Sequence, residues 1–222
     1  MKVALYTISY TGYFYAGDPL PLEEIFPRVA DMGFDGIEIG AKRPDASPLD
    51  MDVGRRKAIK ALGQRYGLEI GCVAAYNNFA SPIQEQQDAE LLMMREIIRL
   101  AHDLEAPIVR IFAAWPGMTL RNGYATYDMT KQYRWPDVTW LEQWQWVRSH
   151  VSEASRWAEQ YGIVLALQNH TPVIEKDEHT LQMIREVNSP WVKACIDPGD
   201  QTFSEYPEES IAAWHERLKL VK

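Results

Sequence analysis

The sequence predicts a parallel α/β domain, and three observations support this fold class. Amphipathic helices, each followed by a glycine and a short apolar strand, recur along the 222 residues. Two apolar runs, residues 164–170 and 193–200, stop abruptly on polar side chains, as strands do where ligands bind in a parallel sheet. Neither G-x-G-x-x-G nor G-x-x-x-x-G-K-[ST] occurs, so the sequence lacks the main signatures of nucleotide-binding proteins with this fold.

Six strands alternate with helices in this prediction. The strands are expected at residues 3–8, 36–39, 68–74, 108–112, 163–167 and 191–196. Three of the helices stop at a glycine, which supplies the left-handed conformation that turns the chain out of a helix. These glycines are Gly33, Gly67 and Gly162. Strands that alternate with helices at this spacing form a parallel sheet with right-handed crossovers.

Polar residues end several different strands, and this favours a barrel over an open sheet. They are Glu38, Asn77, Arg110, Gln168, Asn169, His170 and Asp197. A (β/α)8 barrel collects its site from many strand ends in this way. Such barrels typically take about 250 residues, and a seventh strand would only begin at residues 218–222. We therefore expect a (β/α)8 TIM barrel truncated after the sixth unit, forming one domain over residues 1–222.

Composition and charge narrow the class of protein. Hydrophobic residues make up 46% and charged residues 24% of the chain, as in ordinary globular domains. The net charge of −8 disfavours nucleic acid and anionic membranes as partners, because phosphate groups attract basic surfaces. No apolar run resembles a signal peptide or reaches membrane-spanning length. Cys72 and Cys195 lie in apolar runs, which indicates reduced core cysteines and a cytoplasmic protein.

Four segments together resemble the xylose-isomerase-like TIM barrels, and in particular their sugar phosphate isomerase/epimerase family. The segments are residues 33–38, 109–112, 165–170 and 195–197. The resemblance implies a metal-dependent isomerase or epimerase that acts on a sugar, sugar phosphate or cyclitol through proton abstraction next to a carbonyl. It also implies a divalent metal (Mn, Mg, Co or Zn) as cofactor and a small carbohydrate as substrate.

The resemblance also implies metal ligands at two strand ends. Family members hold the metal with a Glu that ends the fifth strand and an Asp that ends the sixth, and these positions are Gln168 and Asp197 here. The family's further His and Glu ligands, on the seventh and eighth strands, have no counterpart. A Gln can offer an amide oxygen to a hard cation but cannot accept a proton at neutral pH. Asp200 stands where the family often has a His, so we expect Gln168, His170 and Asp200 to be the catalytic residues.

Five residues are expected to contact the substrate, and each has a structural alternative. They are Glu38, Asn77, Arg110, Trp115 and Asn169. A salt bridge between Glu38 and Arg110 inside the barrel, and capping of the next helix by Asn169, remain open. His170 is equally typical of a loop histidine bonded to backbone, and Asp197 of a turn with Pro198 and Gly199.

The long connection at residues 114–137 combines aromatic and basic side chains. Loops of this length in compact domains are usually lids or binding loops. Aromatic faces over polar neighbours suit a sugar ring, but Trp, Tyr and Arg are equally enriched at oligomer contacts. A homo-oligomer interface therefore stays open beside a substrate site.

Two other functions on this scaffold also stay open. One is a dehydratase or lyase, because isomerisation, epimerisation and dehydration all begin with the same proton abstraction. The other is a non-catalytic carbohydrate-binding relative, which Gln168 in place of a Glu favours. The endonuclease IV branch of the superfamily would need more zinc ligands and a basic face, neither of which this acidic chain has.

Overall fold

Six parallel strands form the main sheet in the part of the chain that the structure describes. The structure is a computed structural model that describes residues 2–13, 17–115, 117–121, 124–126, 135–174 and 176–197. The strands of the main sheet are β1 (Ala4–Tyr6), β2 (Gly36–Gly40), β3 (Glu69–Ala74), β4 (Ile108–Ile111), β7 (Val164–Gln168) and β8 (Val192–Cys195). They pair in the order β1-β2-β3-β4-β7-β8, each parallel to the next. Chain order and spatial order therefore agree, as in a (β/α)8 barrel, and the six predicted strands are confirmed.

Among the described residues, five α-helices connect these strands. They are α1 (Leu22–Asp31), α2 (Val53–Tyr66), α3 (Gln84–Asp103), α4 (Trp140–Tyr161) and α5 (Asp177–Val187), and a short 3₁₀ helix, Thr7–Tyr10, follows β1. Gly67 and Gly162 end α2 and α4 with φ angles of +67°. Because non-glycine residues adopt this conformation only at a cost, these glycines stop the helices where the sequence predicts. The connection between β4 and α4 contains a hairpin that the sequence did not predict, β5 (Thr119–Arg121) with β6 (Tyr124–Thr126).

The core lies between the helices and the sheet. Helix α1 buries Leu22, Ile25, Phe26 and Val29, which recur at the predicted helical spacing. In β2, Ile37 and Ile39 are fully buried and belong to this core. Among the helices that the structure describes, none has the length and apolar character needed to cross a membrane.

Two buried asparagines join the ends of neighbouring strands, and we call them the carboxamide clamps. Asn77, beyond β3, donates from Nδ2 to the Phe112 carbonyl (2.6 Å) and accepts from the Phe112 amide (3.0 Å) at Oδ1. Asn169, beyond β7, makes the same pair of bonds with the backbone of Asp197, at 3.2 Å and 2.7 Å. The two asparagines are 3% and 2% exposed. These bonds give both residues a positioning role, and their predicted contact with a substrate stays a prediction.

The loop after β2 is tied to β1 through Asp45. Thr7 Oγ1 donates to Asp45 Oδ2 (2.5 Å), and the Gly40 amide donates to Thr7 Oγ1 (3.0 Å). Asp45 Oδ1 is buried and has no hydrogen-bond partner within the described residues. Burial raises the pKa of the Asp45 carboxyl to about 6 and lowers the pKa of the Lys42 ammonium to about 8.

Removing a clamp should cost stability without rearranging the sheet. We expect Asn77→Ala to lower the free energy of unfolding by about 1–3 kcal/mol, because the Phe112 amide and carbonyl lose their buried partners. Urea denaturation measures this change. The exposed helical residue Gln64 offers a control, since Gln64→Ala should change stability by no more than about 0.5 kcal/mol. Equal effects of the two substitutions would contradict the clamp.

The Asp45 carboxyl should make stability depend on pH. Its pKa is raised from 3.8 to about 6 in the folded protein, so its contribution to stability is fully present below 3.8 and is lost as pH rises through 6. The side chain introduced by Asp45→Asn cannot ionise. As pH rises through this window, we therefore expect the free energy of unfolding of the variant to increase by about 2 kcal/mol relative to that of the natural protein. Urea unfolding of both proteins at several pH values measures the difference. A difference that stays constant with pH would contradict the expectation.

Candidate active site at the carboxyl ends of the strands

A cavity of about 350 Å³ opens at the carboxyl ends of the strands. Six predicted site residues line it: Glu38, Arg110, Trp115, Gln168, His170 and Asp197. The other lining residues are Tyr6, Ile8, Tyr76, Phe112, Met118, Cys195 and Ile196. The strands therefore bring together side chains that are far apart in the sequence, as barrels do at this face.

Four of the lining residues form a continuous row of hydrogen bonds, which we call the polar row. Arg110, on β4, donates from Nε to Glu38 Oε1 on β2 (2.7 Å) and from Nη1 to Gln168 Oε1 on β7 (2.5 Å). Gln168 in turn donates from Nε2 to Asp197 Oδ2, beyond β8 (2.6 Å). The salt bridge that the sequence left open for Glu38 and Arg110 is thus present, and both residues also line the cavity.

Aromatic rings enclose the guanidinium and form one wall of the cavity. The guanidinium carbon of Arg110 lies 5.1 Å from the ring centroid of Tyr6 and 5.0 Å from that of Phe112, distances at which a cation is attracted to a ring face. Phe112 stacks on Trp115 with centroids 5.2 Å apart and an interplanar angle of 22°. The wall therefore offers flat apolar faces beside a fixed positive charge.

The ring of His170 lines the cavity, and one of its nitrogens bonds to backbone. Nδ1 lies 2.6 Å from the carbonyl oxygen of Thr171. Since a carbonyl oxygen only accepts, Nδ1 carries the proton, and in the neutral ring Nε2 carries a lone pair. The ring meets Phe112 and Trp115 edge-on, with centroids 5.0 Å and 4.9 Å away, and these contacts fix its orientation.

Several lining residues were missed by the sequence analysis, although the same strand-end rule locates them. Tyr6 is the last residue of β1 and Cys195 the last of β8, while Phe112 directly follows β4 and Tyr76 comes shortly after β3. The hydroxyls of Tyr6 and Tyr76 are hydrogen-bonded to each other, and burial raises the pKa of both well above the ordinary value. Burial also raises the pKa of the Cys195 thiol to about 11. These three groups are therefore neutral near pH 7.

The polar row does not fit a divalent metal as it is arranged. Gln168 turns its oxygen toward Arg110 and an N–H toward Asp197, and Glu38 is paired with the same guanidinium. In the described ranges, no three His, Cys, Asp or Glu side chains are grouped so that they could hold a metal ion. Asp200, expected to act as a base or ligand, lies outside the described residues, as does much of the connection at residues 114–137.

Known proteins with similar sequences are sugar epimerases. Fructoselysine 3-epimerases of Shigella flexneri and Escherichia coli O157:H7 are each 29% identical to this chain over 197 residues. The matches cover 84% of this chain and 65% of each relative, so the chain spans about two thirds of the length of these relatives.

Several solved structures with the same fold are those of epimerases. D-psicose 3-epimerase from Clostridium cellulolyticum H10 superposes with a TM-score of 0.73 at 17% identity, covering 92% of this chain and 66% of that one. The 3-keto-D-glucoside 4-epimerase from E. coli gives 0.71 at 19% identity, with 92% and 71% coverage. At these identities the likeness establishes the fold, and the predicted TIM-barrel class is confirmed.

The match to a family model agrees with this fold. The model is described as xylose isomerase-like TIM barrel, and it matches residues 26–222, nearly the whole chain. The resemblance inferred from the four short segments is thereby confirmed, and the chain belongs to the xylose isomerase-like TIM barrel family.

Proposed function

We propose that this chain provides the substrate site of an epimerase or isomerase that acts on a sugar, sugar phosphate or cyclitol. The reaction is proton abstraction next to a carbonyl. The observation that carries the proposal is the cavity itself, in which stacked aromatic rings stand beside a buried cation, a histidine and an aspartate. The names of the relatives, which are sugar epimerases, support the same class of substrate.

The cavity has the size and lining that a monosaccharide needs. Its volume of about 350 Å³ lies in the range of small-molecule sites. The C–H faces of a sugar pack on aromatic rings, here Phe112 and Trp115, while its hydroxyls reach polar groups. Glu38, Gln168 and Asp197 line the same space and offer acceptors and donors for those hydroxyls.

His170 is the residue best placed to move the proton. The hydrogen bond from Nδ1 to the Thr171 carbonyl leaves the Nε2 lone pair as the basic atom of the neutral ring. A positioned imidazole of this kind acts as a general base near neutral pH. Gln168 cannot accept a proton, so its part in this mechanism is to hold the Asp197 carboxylate through the Nε2 hydrogen bond.

Arg110 supplies the positive charge for the intermediate. Removing a proton next to a carbonyl places negative charge on the carbonyl oxygen, and a preorganised cation in a buried cavity stabilises that charge. The guanidinium is 8% exposed and is held by Glu38 and Gln168. The divalent metal that the resemblance implies, its ligands and the role of Asp200 remain predictions.

A carbohydrate-binding protein without catalysis is the second candidate. It is favoured by Gln168, which stands where the resemblance expects a Glu and which uses both ends of its amide in the polar row. A dehydratase or lyase would share the first proton abstraction but release water or a cleaved product. Hydrogen exchange with solvent separates binding from both reactions, because binding alone leaves the carbon-bound hydrogen in place. Release of water or of a cleaved product then distinguishes a dehydratase or lyase from an epimerase or isomerase.

Exchange in D₂O tests the proposed reaction. We expect the natural protein, mixed with D-fructose, D-tagatose or fructoselysine, to replace the hydrogen next to the carbonyl of one of them with deuterium, as followed by ¹H NMR. His170→Asn should slow this exchange by about 100-fold or more, because the base is lost. His102→Asn is the matched control, since His102 lies on α3 and bonds to the Tyr161 carbonyl, away from the cavity. Exchange that is equally fast in His170→Asn would contradict the assigned base.

The aromatic wall should contribute directly to sugar affinity. We expect Trp115→Ala to raise the Kd for D-fructose by about tenfold, because the apolar ring face is lost. Calorimetry or saturation-transfer NMR measures the change. Trp140→Ala serves as the control, since Trp140 is 42% exposed at the start of α4 and is not among the lining residues. Equal weakening by both substitutions would contradict a specific role for Trp115.

A further inference from the structure

The two hydrogen bonds of the Gln168 side chain have a fixed direction. Its Oε1 accepts from Arg110 Nη1 at 2.5 Å, and its Nε2 donates to Asp197 Oδ2 at 2.6 Å. A guanidinium has only donors and an ionised carboxylate has only acceptors. Rotating the amide by 180° would place its N–H groups against the N–H groups of Arg110 and its oxygen against the carboxylate oxygen of Asp197. The chemistry of both neighbours therefore determines which end of the amide faces Asp197.

Arg110 cannot easily move to release this amide. Its Nε donates to Glu38 Oε1 at 2.7 Å, and its guanidinium lies between the rings of Tyr6 and Phe112. The side chain is almost entirely buried, so a change of rotamer would leave a buried charge without its partners. The orientation of Gln168 is thus imposed by a residue that is itself held from three sides.

We propose that Arg110 is a positioning residue that keeps the Gln168 oxygen out of any cation site at Asp197. The strand ends of β7 and β8 then present an N–H beside a carboxylate. This pair can both donate to and accept from a hydroxyl group, whereas a divalent cation needs oxygen ligands from both residues. The inference concerns the orientation of the side chain and its effect on metal affinity, so it does not depend on which reaction the protein catalyses.

A carboxylate at position 168 would behave differently from the amide. It has two acceptor oxygens, so one can keep the hydrogen bond from Arg110 while the other turns toward Asp197. Two carboxylates that face each other repel unless a cation lies between them. Gln168→Glu should therefore create affinity for a divalent ion. Removing the amide altogether should leave the affinity of the protein for that ion unchanged.

Calorimetric titration of the full 222-residue chain with Mn²⁺ tests this inference. We expect Gln168→Leu to bind Mn²⁺ with the affinity of the natural protein, within about twofold, since no ligand is lost. We expect Gln168→Glu to bind at least about tenfold more tightly, because a charged oxygen is gained. Adding Asp197→Asn to Gln168→Glu should abolish the gain, which would locate the new site between these two residues. Circular dichroism and thermal unfolding establish that each variant is folded, and Gln168→Met replaces Gln168→Leu if the latter does not fold.

Two results would overturn the inference. One is a loss of about tenfold or more in Mn²⁺ affinity in Gln168→Leu or Gln168→Met, which is the effect of removing an oxygen ligand. The other is unchanged affinity in Gln168→Glu. If the natural protein binds Mn²⁺ too weakly to measure, the comparison with Gln168→Glu decides alone: measurable binding in that variant supports the inference, and its absence contradicts it.

Discussion

The ion pair and hydrogen bonds of one buried guanidinium, that of Arg110, organise the whole candidate site. A buried charge is tolerated only when it is paired and hydrogen-bonded, so Arg110 requires Glu38 on β2 and an acceptor on β7. Gln168 provides that acceptor, and its Nε2 in turn donates a hydrogen bond to Asp197 beyond β8. Side chains from β2, β4 and β7 and the end of β8 are thereby held in one row. The aromatic rings of Tyr6 and Phe112 complete the enclosure of the cation.

The carboxamide clamps hold the backbone at the same ends of the strands. Parallel strands lose their ladder of hydrogen bonds where they end, and this is also where barrels place their ligands. Asn77 and Asn169 each replace the missing ladder with two bonds to the backbone of the following strand end. The residues they hold, Phe112 and Asp197, both line the cavity. The clamps therefore fix the positions of a ring and a carboxylate, and neither asparagine is among the residues that line the cavity.

The contrast between an amide and a carboxylate at position 168 shows how one atom changes the chemistry of a strand end. A carboxylate accepts on both sides and carries charge, whereas an amide accepts on one side and donates on the other. Beside a guanidinium, the amide has only one favourable orientation. The family fold is thus kept, while the direction in which this strand end donates and accepts hydrogen bonds depends on a neighbour on another strand.

By itself, the sequence determined the class of fold and the location of the site. The spacing of apolar residues in α1, the glycines that end α2 and α4, and the alternation of strands with helices are local features, and each was found where it was predicted. The strand-end rule also identified Glu38, Arg110, Gln168, His170 and Asp197, all of which line the cavity, as does Trp115 from the long connection after β4. Only the tertiary structure decided what these side chains do. In sequence, Asn169 and Gln168 are adjacent polar residues at one strand end, yet one clamps backbone and the other joins the polar row. Their partners lie tens of residues away on other strands, so the direction of each amide depends on contacts that exist only once the sheet has formed.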